Sequence, residues 1–207
     1  AVRISSGAAN GIEVLTVNSV DAPNRLSLLT QTPGPVLGGT ASSTMDTLNV
    51  IGTHDLTIGE VRDGTIAAGV TVGPLDNSIV TVNAADFEGG LSVIVGNGVV
   101  TSTGGIGDDE LLYAFIAAGP APTSTYTTAD IIDGGDGVDM LGLLSADCAP
   151  GADQVNVTNV EGLRVLDELA TSPLLSRWGT GVNRVSLDDG GNNGVISFPA
   201  GESFLHL

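Results

Sequence analysis

Short stretches in which apolar and polar residues alternate recur along the whole chain, separated by clusters of Gly, Asp, Asn, Ser and Thr. Alternation with a period of two is typical of β-strands that bury one face. It predicts strands over residues 12–17, 26–29, 47–51, 56–58, 79–82, 91–95, 99–101, 155–157, 163–166, 185–187 and 195–198. Helical periodicity is weak, and only residues 110–118 (ELLYAFIAA) and 168–178 (ELATSPLLSRW) are candidates for short helices. The pattern predicts an all-β fold with one or two short helical insertions.

Two nine-residue segments, GGIGDDELL at 104–112 and GGDGVDMLG at 134–142, fit the pattern G-G-x-G-x-D-x-U-x, with U a large apolar residue. This pattern is the turn-plus-strand unit of a parallel β-roll that binds calcium. The glycines allow a tight bend that points backbone carbonyl oxygens at one place. Asp109 and Asp139 add carboxylate oxygens, while Leu111 and Leu141 begin the next strand. Because calcium takes six to eight oxygen ligands, we expect two stacked turns to share an ion.

The spacing of the two nonapeptides differs from that of an uninterrupted roll. Turns on one side of such a roll recur about every eighteen residues, whereas these segments start thirty residues apart. The excess of twelve fits a polar excursion near residues 118–128 (AGPAPTSTYTT). The nonapeptides then stack with that loop outside, or each finds other ligands.

The charge of the chain favours a cation-binding protein. It has 24 acidic residues against six arginines and no lysine, and between Arg62 and Arg164 there are fourteen acidic residues and no Lys, Arg or His. Such a stretch repels itself, and bound calcium would link its folding to the metal. A generally acidic surface is the alternative, but the grouping of Asp130, Asp133 and Asp136 beside Asp139 favours calcium. Nucleic acid is excluded as a partner because the basic footprint that it requires is missing.

Other function classes find little support. The chain has no G-x-S-x-G or H-E-x-x-H motif, and its two histidines, His54 and His206, are far apart. Cys148 is the one cysteine, so no internal disulfide is possible. No apolar stretch approaches the length of a membrane span. The chain has no N-terminal Met or signal peptide and its first residues resemble the middle of a repeat, so we expect a piece of a longer polypeptide. We expect a protein that is not an enzyme and does not insert into a membrane.

Over roughly residues 10–190, the chain resembles the recurring module of RTX-type calcium-binding bacterial surface-layer (S-layer) proteins and related large surface proteins. The segments that carry the resemblance are STMDTLNVIGTHDLTIGEV at 43–61, VTVNAADFEGGLSVIV at 80–95, STGGIGDDELL at 102–112, TADIIDGGDGVDMLGL at 128–143 and VNVTNVEGLRVLD at 155–167. The resemblance implies a secreted parallel β-solenoid on the outer cell surface, in which calcium drives folding and self-assembly into a homo-oligomeric array. An uninterrupted nonapeptide array is absent, and no C-terminal secretion signal is identified.

The resemblance also implies a ligand set for calcium. Its members are the side chains of Asp109 and Asp139 and the backbone carbonyls of Gly104, Gly105, Gly107, Gly134, Gly135 and Gly137. Asp133 and Asp136 are further candidates because they flank or lie within the second nonapeptide. For Asp108 and Asp130, a solvated carboxylate and a calcium ligand are equally good interpretations.

The organisation that we predict has three regions: a β-rich strand-repeat region at 1–103, an RTX-like β-roll region at 104–153, and the start of the next β-rich repeat at 154–207. The last assignment rests on two short matches in the same order, GIEVLTVNS with VEGLRVLD and NRLSL with NRVSL. Two further functions stay open beside the surface-layer module. One is a calcium-stabilised spacer or binding segment of a large RTX adhesin, and the other is the calcium-binding tail of a secreted enzyme.

Overall fold

The structure is a computed structural model that describes residues 12–26, 45–59, 74–115, 123–170, 172–179 and 181–188, together with the backbone of three strands outside these ranges. The strands in chain order are β1 (Val2–Ser5), β2 (Val14–Ser19), β3 (Asn24–Leu26), β4 (Leu29–Thr32), β5 (Thr47–Gly52), β6 (Leu56–Ile58), β7 (Thr81–Asn83), β8 (Leu91–Ile94), β9 (Thr101–Thr103), β10 (Glu110–Leu112), β11 (Ala114–Phe115), β12 (Thr123–Ser124), β13 (Ile131–Asp133), β14 (Met140–Leu143), β15 (Val157–Thr158), β16 (Gly162–Val165), β17 (Arg184–Leu187) and β18 (Phe204–His206). Within the described residues the only helical element is a 3-10 turn at Leu175–Arg177.

Two parallel sheets contain most of these strands. One has six strands in the order β15-β13-β9-β7-β5-β2, and the other has eight in the order β18-β17-β16-β14-β10-β8-β6-β3. From β2 to β16 the chain alternates between the two sheets, apart from the separate pairs β1-β4 and β11-β12. We call one strand of the six-stranded sheet, the turn that follows it and the next strand of the eight-stranded sheet a pass. The expected all-β class with parallel sheets is confirmed.

The register explains why the sequence alternates. Each inward position of one strand lies beside the inward position of its neighbours, so like side chains form columns. In the six-stranded sheet one such column contains Leu15, Leu48, Val82, Ser102, Ile132 and Val157. In the eight-stranded sheet the corresponding column contains Leu26, Ile58, Val93, Leu111, Leu141, Leu163 and Val185. Buried residues of both sheets join in one hydrophobic core, which consists mainly of Val, Leu and Ile and also contains Phe87, Tyr113 and Trp178.

A second, smaller apolar cluster lies on the opposite face of the eight-stranded sheet. It contains Ile94, Leu112, Ala114, Leu144 and Leu166, with Phe115 packed against it. Phe115 belongs to β11, which pairs antiparallel with β12. The pair β11-β12 contains the described residues on either side of residues 116–122, which lie outside the described part of the chain.

The two expected helical insertions are wrong for the residues that the structure describes. Residues 110–112 form β10, whose backbone bonds to β8 on one side and β14 on the other. Leu111 faces the main core and Leu112 the outer cluster, so the continuous apolar run reflects a strand that is buried on both faces. Residues 168–178 contribute only the 3-10 turn. The described residues include no helix with the length and apolar character of a membrane span.

Candidate metal centre

The two glycine-rich turns occupy equivalent places in consecutive passes. Residues 104–109 connect β9 to β10, and residues 134–139 connect β13 to β14. Thr101 pairs with Ile131 before the turns, and Glu110 pairs with Met140 after them. The two nonapeptides therefore stack, which is one of the two alternatives that the sequence left open.

Close backbone contacts join the two turns and explain their glycines. The Gly104 N–H donates to the Asp133 carbonyl at 2.8 Å, and the Asp136 N–H donates to the Gly105 carbonyl at 2.9 Å. Gly135 has φ +99°, and a β-carbon there would lie 2.2 Å from the Gly105 carbonyl oxygen. Any side chain at this position would push the turns apart and strain the backbone.

Asp109 turns its carboxylate into the protein, with 2% of the residue exposed. Its Oδ1 accepts the Leu91 N–H at 2.7 Å, and its Oδ2 accepts the Gly105 N–H at 2.5 Å. Burial raises the pKa of Asp109 to about 6, although these two hydrogen bonds favour the ionised form. The side chain thus caps its own turn and the preceding pass.

Asp139 is equally buried, at 1% exposure, but has a different set of partners. Its Oδ1 accepts the Asp109 N–H at 2.7 Å, while its Oδ2 is buried without a hydrogen-bond partner. Burial, followed by the negative charges of Asp109, Glu161 and Asp108, raises the pKa of Asp139 to about 7. One oxygen of this carboxylate is therefore available to a cation.

Asp133 is the reason for this difference between the turns. Its Oδ1 accepts the Gly135 N–H at 3.2 Å, the donor equivalent to the Gly105 N–H that bonds to Asp109. The residue paired with Asp133 in the preceding pass is Thr103, which has no carboxylate. Asp133 thus leaves Asp139 Oδ2 without the backbone donor that its counterpart has.

Oxygen atoms of both turns converge beside Gly104. A β-carbon built on Gly104 would lie 1.8 Å from the Gly134 carbonyl oxygen and 2.5 Å from Asp109 Oδ2. Carbonyl and carboxylate oxygens are the ligands that calcium prefers, and a carboxylate that accepts two N–H groups still has free lone pairs. These residues could therefore supply oxygen ligands to a calcium ion between the turns.

The other predicted ligands have more varied surroundings. Gly105 and Gly107 contribute their carbonyls close to Gly135 and Gly137 of the next turn. Asp136 has an exposed side chain. Asp108 and Asp130, which the sequence left open, both accept backbone N–H groups: Asp108 from Val138, and Asp130 from Val100 and Thr127. Asp130 precedes β13 and so lies at the end of the strand away from the turn.

Sequence reasoning missed two residues at this centre, Asn159 and Glu161, which lie between β15 and β16. Glu161 Oε2 accepts the Asp139 N–H at 2.8 Å, as Asp139 Oδ1 accepts the Asp109 N–H one pass earlier. Asn159 Nδ2 donates to Asp133 Oδ1 at 2.8 Å. A sequence signal existed in the acidic residue that directly precedes an apolar strand, as Asp109 and Asp139 do.

No cluster of three Asp, Glu, His or Cys side chains is present among the described residues that could bind a metal. A cation at this centre must therefore take several of its ligands from backbone carbonyls. Comparison with protein-family models, curated protein sequences and solved structures gives no match for this chain.

Proposed function

We propose that this chain is a calcium-dependent structural module of a bacterial surface layer, which folds as a parallel β-roll and associates with copies of itself. The alternation of the chain between two parallel sheets around one core supports the β-roll. The acidic composition supports an extracellular setting in which calcium is plentiful.

The observation that carries the proposal is the stacking of two G-G-x-G-x-D turns in register, with carbonyl and carboxylate oxygens gathered beside Gly104. Asp109, Asp139 and the glycine carbonyls would hold the ion. Calcium supplies positive charge in a stretch of chain that has none of its own. The glycines position the carbonyls, and Asp109 and Asp139 also bond the backbone of the preceding pass.

Calcium dependence is tested by thermal unfolding with and without a chelator. We expect chelation to lower the melting temperature, and Asp109→Ala and Asp139→Ala to raise the calcium concentration that folding requires. Asp153→Ala is the control, since its side chain is 74% exposed and contacts only Arg177 among the interactions that the structure shows. Unchanged melting and circular dichroism on chelation would refute calcium dependence.

Self-association is tested by electron microscopy of the purified protein at millimolar calcium. Ordered two-dimensional sheets that dissolve on chelation are the expected result. Extended single particles at the same calcium concentration would refute the surface-layer role and favour the spacer of a large adhesin.

A further inference from the structure

The next turn from the six-stranded to the eight-stranded sheet, at residues 159–161, keeps the strand register of the nonapeptide turns without their sequence. Residues 159–161 have no glycine and are only three residues long, against six in each nonapeptide turn. Nevertheless Gly162 pairs with Met140 as Met140 pairs with Glu110. Glu161 is therefore in register with Asp139 and Asp109.

The equivalence extends to the oxygen atoms around the glycine that opens the turn. A β-carbon on Gly134 would lie 1.7 Å from the Asn159 carbonyl oxygen and 2.7 Å from Asp139 Oδ2. Beside Gly104 the same two positions are filled by the Gly134 carbonyl and Asp109 Oδ2. Asn159 thus supplies the carbonyl that a third nonapeptide would supply with its first glycine.

Two features distinguish this second space and favour a cation in it. Asp139 Oδ2 has no hydrogen-bond donor and is buried, whereas Asp109 Oδ2 accepts the Gly105 N–H. Asn159 has φ +50° and is held by its bond to Asp133, so its carbonyl is fixed towards Gly134. A buried carboxylate oxygen without a donor is costly unless a positive charge faces it.

We propose that a second divalent cation, with calcium as the expected ion, binds between the turn at residues 134–139 and the turn at residues 159–161. Its ligands are Asp139 Oδ2, the Asn159 carbonyl and the carboxylate of Glu161, whose Oε2 accepts the Asp139 backbone N–H. This site rests on the proposed function only in sharing its ion and Asp139. It requires neither the nonapeptide at residues 104–112 nor a surface-layer role.

The nearby charges agree with a divalent ion at this place. Asp139, Glu161 and Asp109 are linked through consecutive backbone hydrogen bonds, and the charges of Glu161 and Asp109 both act on Asp139. The sequence places no Lys, Arg or His between residues 63 and 163. Arg164, the first cation after this stretch, is bound to Glu110 and Asp188 instead.

The test is a titration of the metal-free protein with calcium by isothermal calorimetry, applied to the wild type, Glu161→Gln, Asp109→Asn and Glu168→Gln. Glu161→Gln keeps an oxygen that can accept the Asp139 N–H, and Glu168 is an exposed glutamate that serves as the matched control. We expect two binding events in the wild type and in Glu168→Gln. Glu161→Gln should lose one of them or weaken it at least tenfold.

An unchanged stoichiometry and affinity in Glu161→Gln would overturn this second site. If Asp109→Asn alone weakens an event, the site between the nonapeptides stands and only this inference fails. If Glu161→Gln alone weakens an event, the second site stands and the site between the nonapeptides fails. Absence of calcium binding in the wild type refutes both. A melting curve of each variant at saturating calcium confirms that the protein being titrated is folded.

Discussion

Replacing Asp139 by asparagine should stabilise the metal-free protein, although it removes a proposed metal ligand. The variant keeps an Oδ1 that can accept the Asp109 N–H. Its amide NH2 replaces the oxygen that has no donor and faces the same space as the Asn159 carbonyl. A buried charge is therefore exchanged for a neutral group with a potential acceptor beside it.

The size of the effect follows from the proton affinity of the carboxylate. Burial raises the pKa of Asp139 from 3.8 to about 7. Each tenfold change in proton affinity corresponds to about 1.4 kcal/mol, so the ionised side chain costs the folded state at most ~4 kcal/mol at pH 8. Solvent near the turn screens part of this, and we expect Asp139→Asn to gain ~2 kcal/mol in free energy of unfolding without calcium.

Urea unfolding at pH 8 in excess chelator measures this gain. Trp178 is the one tryptophan and is buried, so its emission follows global unfolding. Asp153→Asn, at an exposed carboxylate, should change the free energy by less than ~0.5 kcal/mol. With saturating calcium the order reverses, because the wild type alone gains from the ion. A metal-free Asp139→Asn protein that is less stable than the wild type would show that the carboxylate is not an uncompensated charge.

Three other outcomes are expected. Without calcium, the melting temperature should rise as the pH falls from about 8 to about 5. The pKa values of Asp109 and Asp139 are raised in the folded state, so the folded protein binds protons more tightly than the unfolded chain. A melting temperature that falls over this range would contradict the prediction. Gly134→Ala should abolish cooperative unfolding through its clash with the Asn159 carbonyl, while Gly151→Ala, with nothing nearby, should not. Arg164→Met should lower the free energy of unfolding, measured in urea, by ~2 kcal/mol, because the half-buried carboxylates of Glu110 and Asp188 lose their partner. An equal loss in Arg177→Met, which breaks an exposed pair, would refute that reason.

Much of the fold could be predicted because its strands bury one face and so alternate in polarity. Residues 47–51, 56–58 and 91–95 match β5, β6 and β8 within one residue at each end. The strand predicted at 195–198 lies outside the described residues. The strands predicted at 79–82, 99–101 and 155–157 begin two residues before β7, β9 and β15, and the helix predictions fall where alternation is absent. Leu111 and Leu112 are both buried, against different apolar clusters, and a single sequence does not show that β11 and β12 accompany the second cluster.

Of the two sequence matches between the ends of the chain, one occupies equivalent positions in the fold and the other does not. NRLSL and NRVSL place Arg25 and Arg184 in the same outward column of the eight-stranded sheet, six strands apart. GIEVLTVNS instead contributes to β2 in the six-stranded sheet, while VEGLRVLD contributes to β16 in the other sheet. Short apolar alternation is common to both sheets, so a match in alternation alone does not identify equivalent strands.

The candidate site was predictable as far as its backbone geometry depends on glycine. The two nonapeptides could be recognised because only glycine allows neighbouring turns to approach so closely. The turn at residues 159–161 could not be recognised in this way, since Asn159 adopts its positive φ without being glycine. Asparagine tolerates this conformation better than most residues, and the resulting turn carries no repeat signature.

The direction of the carboxylate hydrogen bonds explains why calcium should act on the whole stack. Asp109, Asp139 and Glu161 each accept an N–H from the preceding pass, so every pass holds the turn before it. A pass that detaches leaves its predecessor with a buried donor, which makes partial unfolding expensive. Asp139 is the middle member of this series and the one whose second oxygen is buried without a hydrogen-bond partner. An ion bound at Asp139, as proposed, would therefore strengthen the link on which the passes on both sides depend, and it would couple calcium binding to cooperative folding.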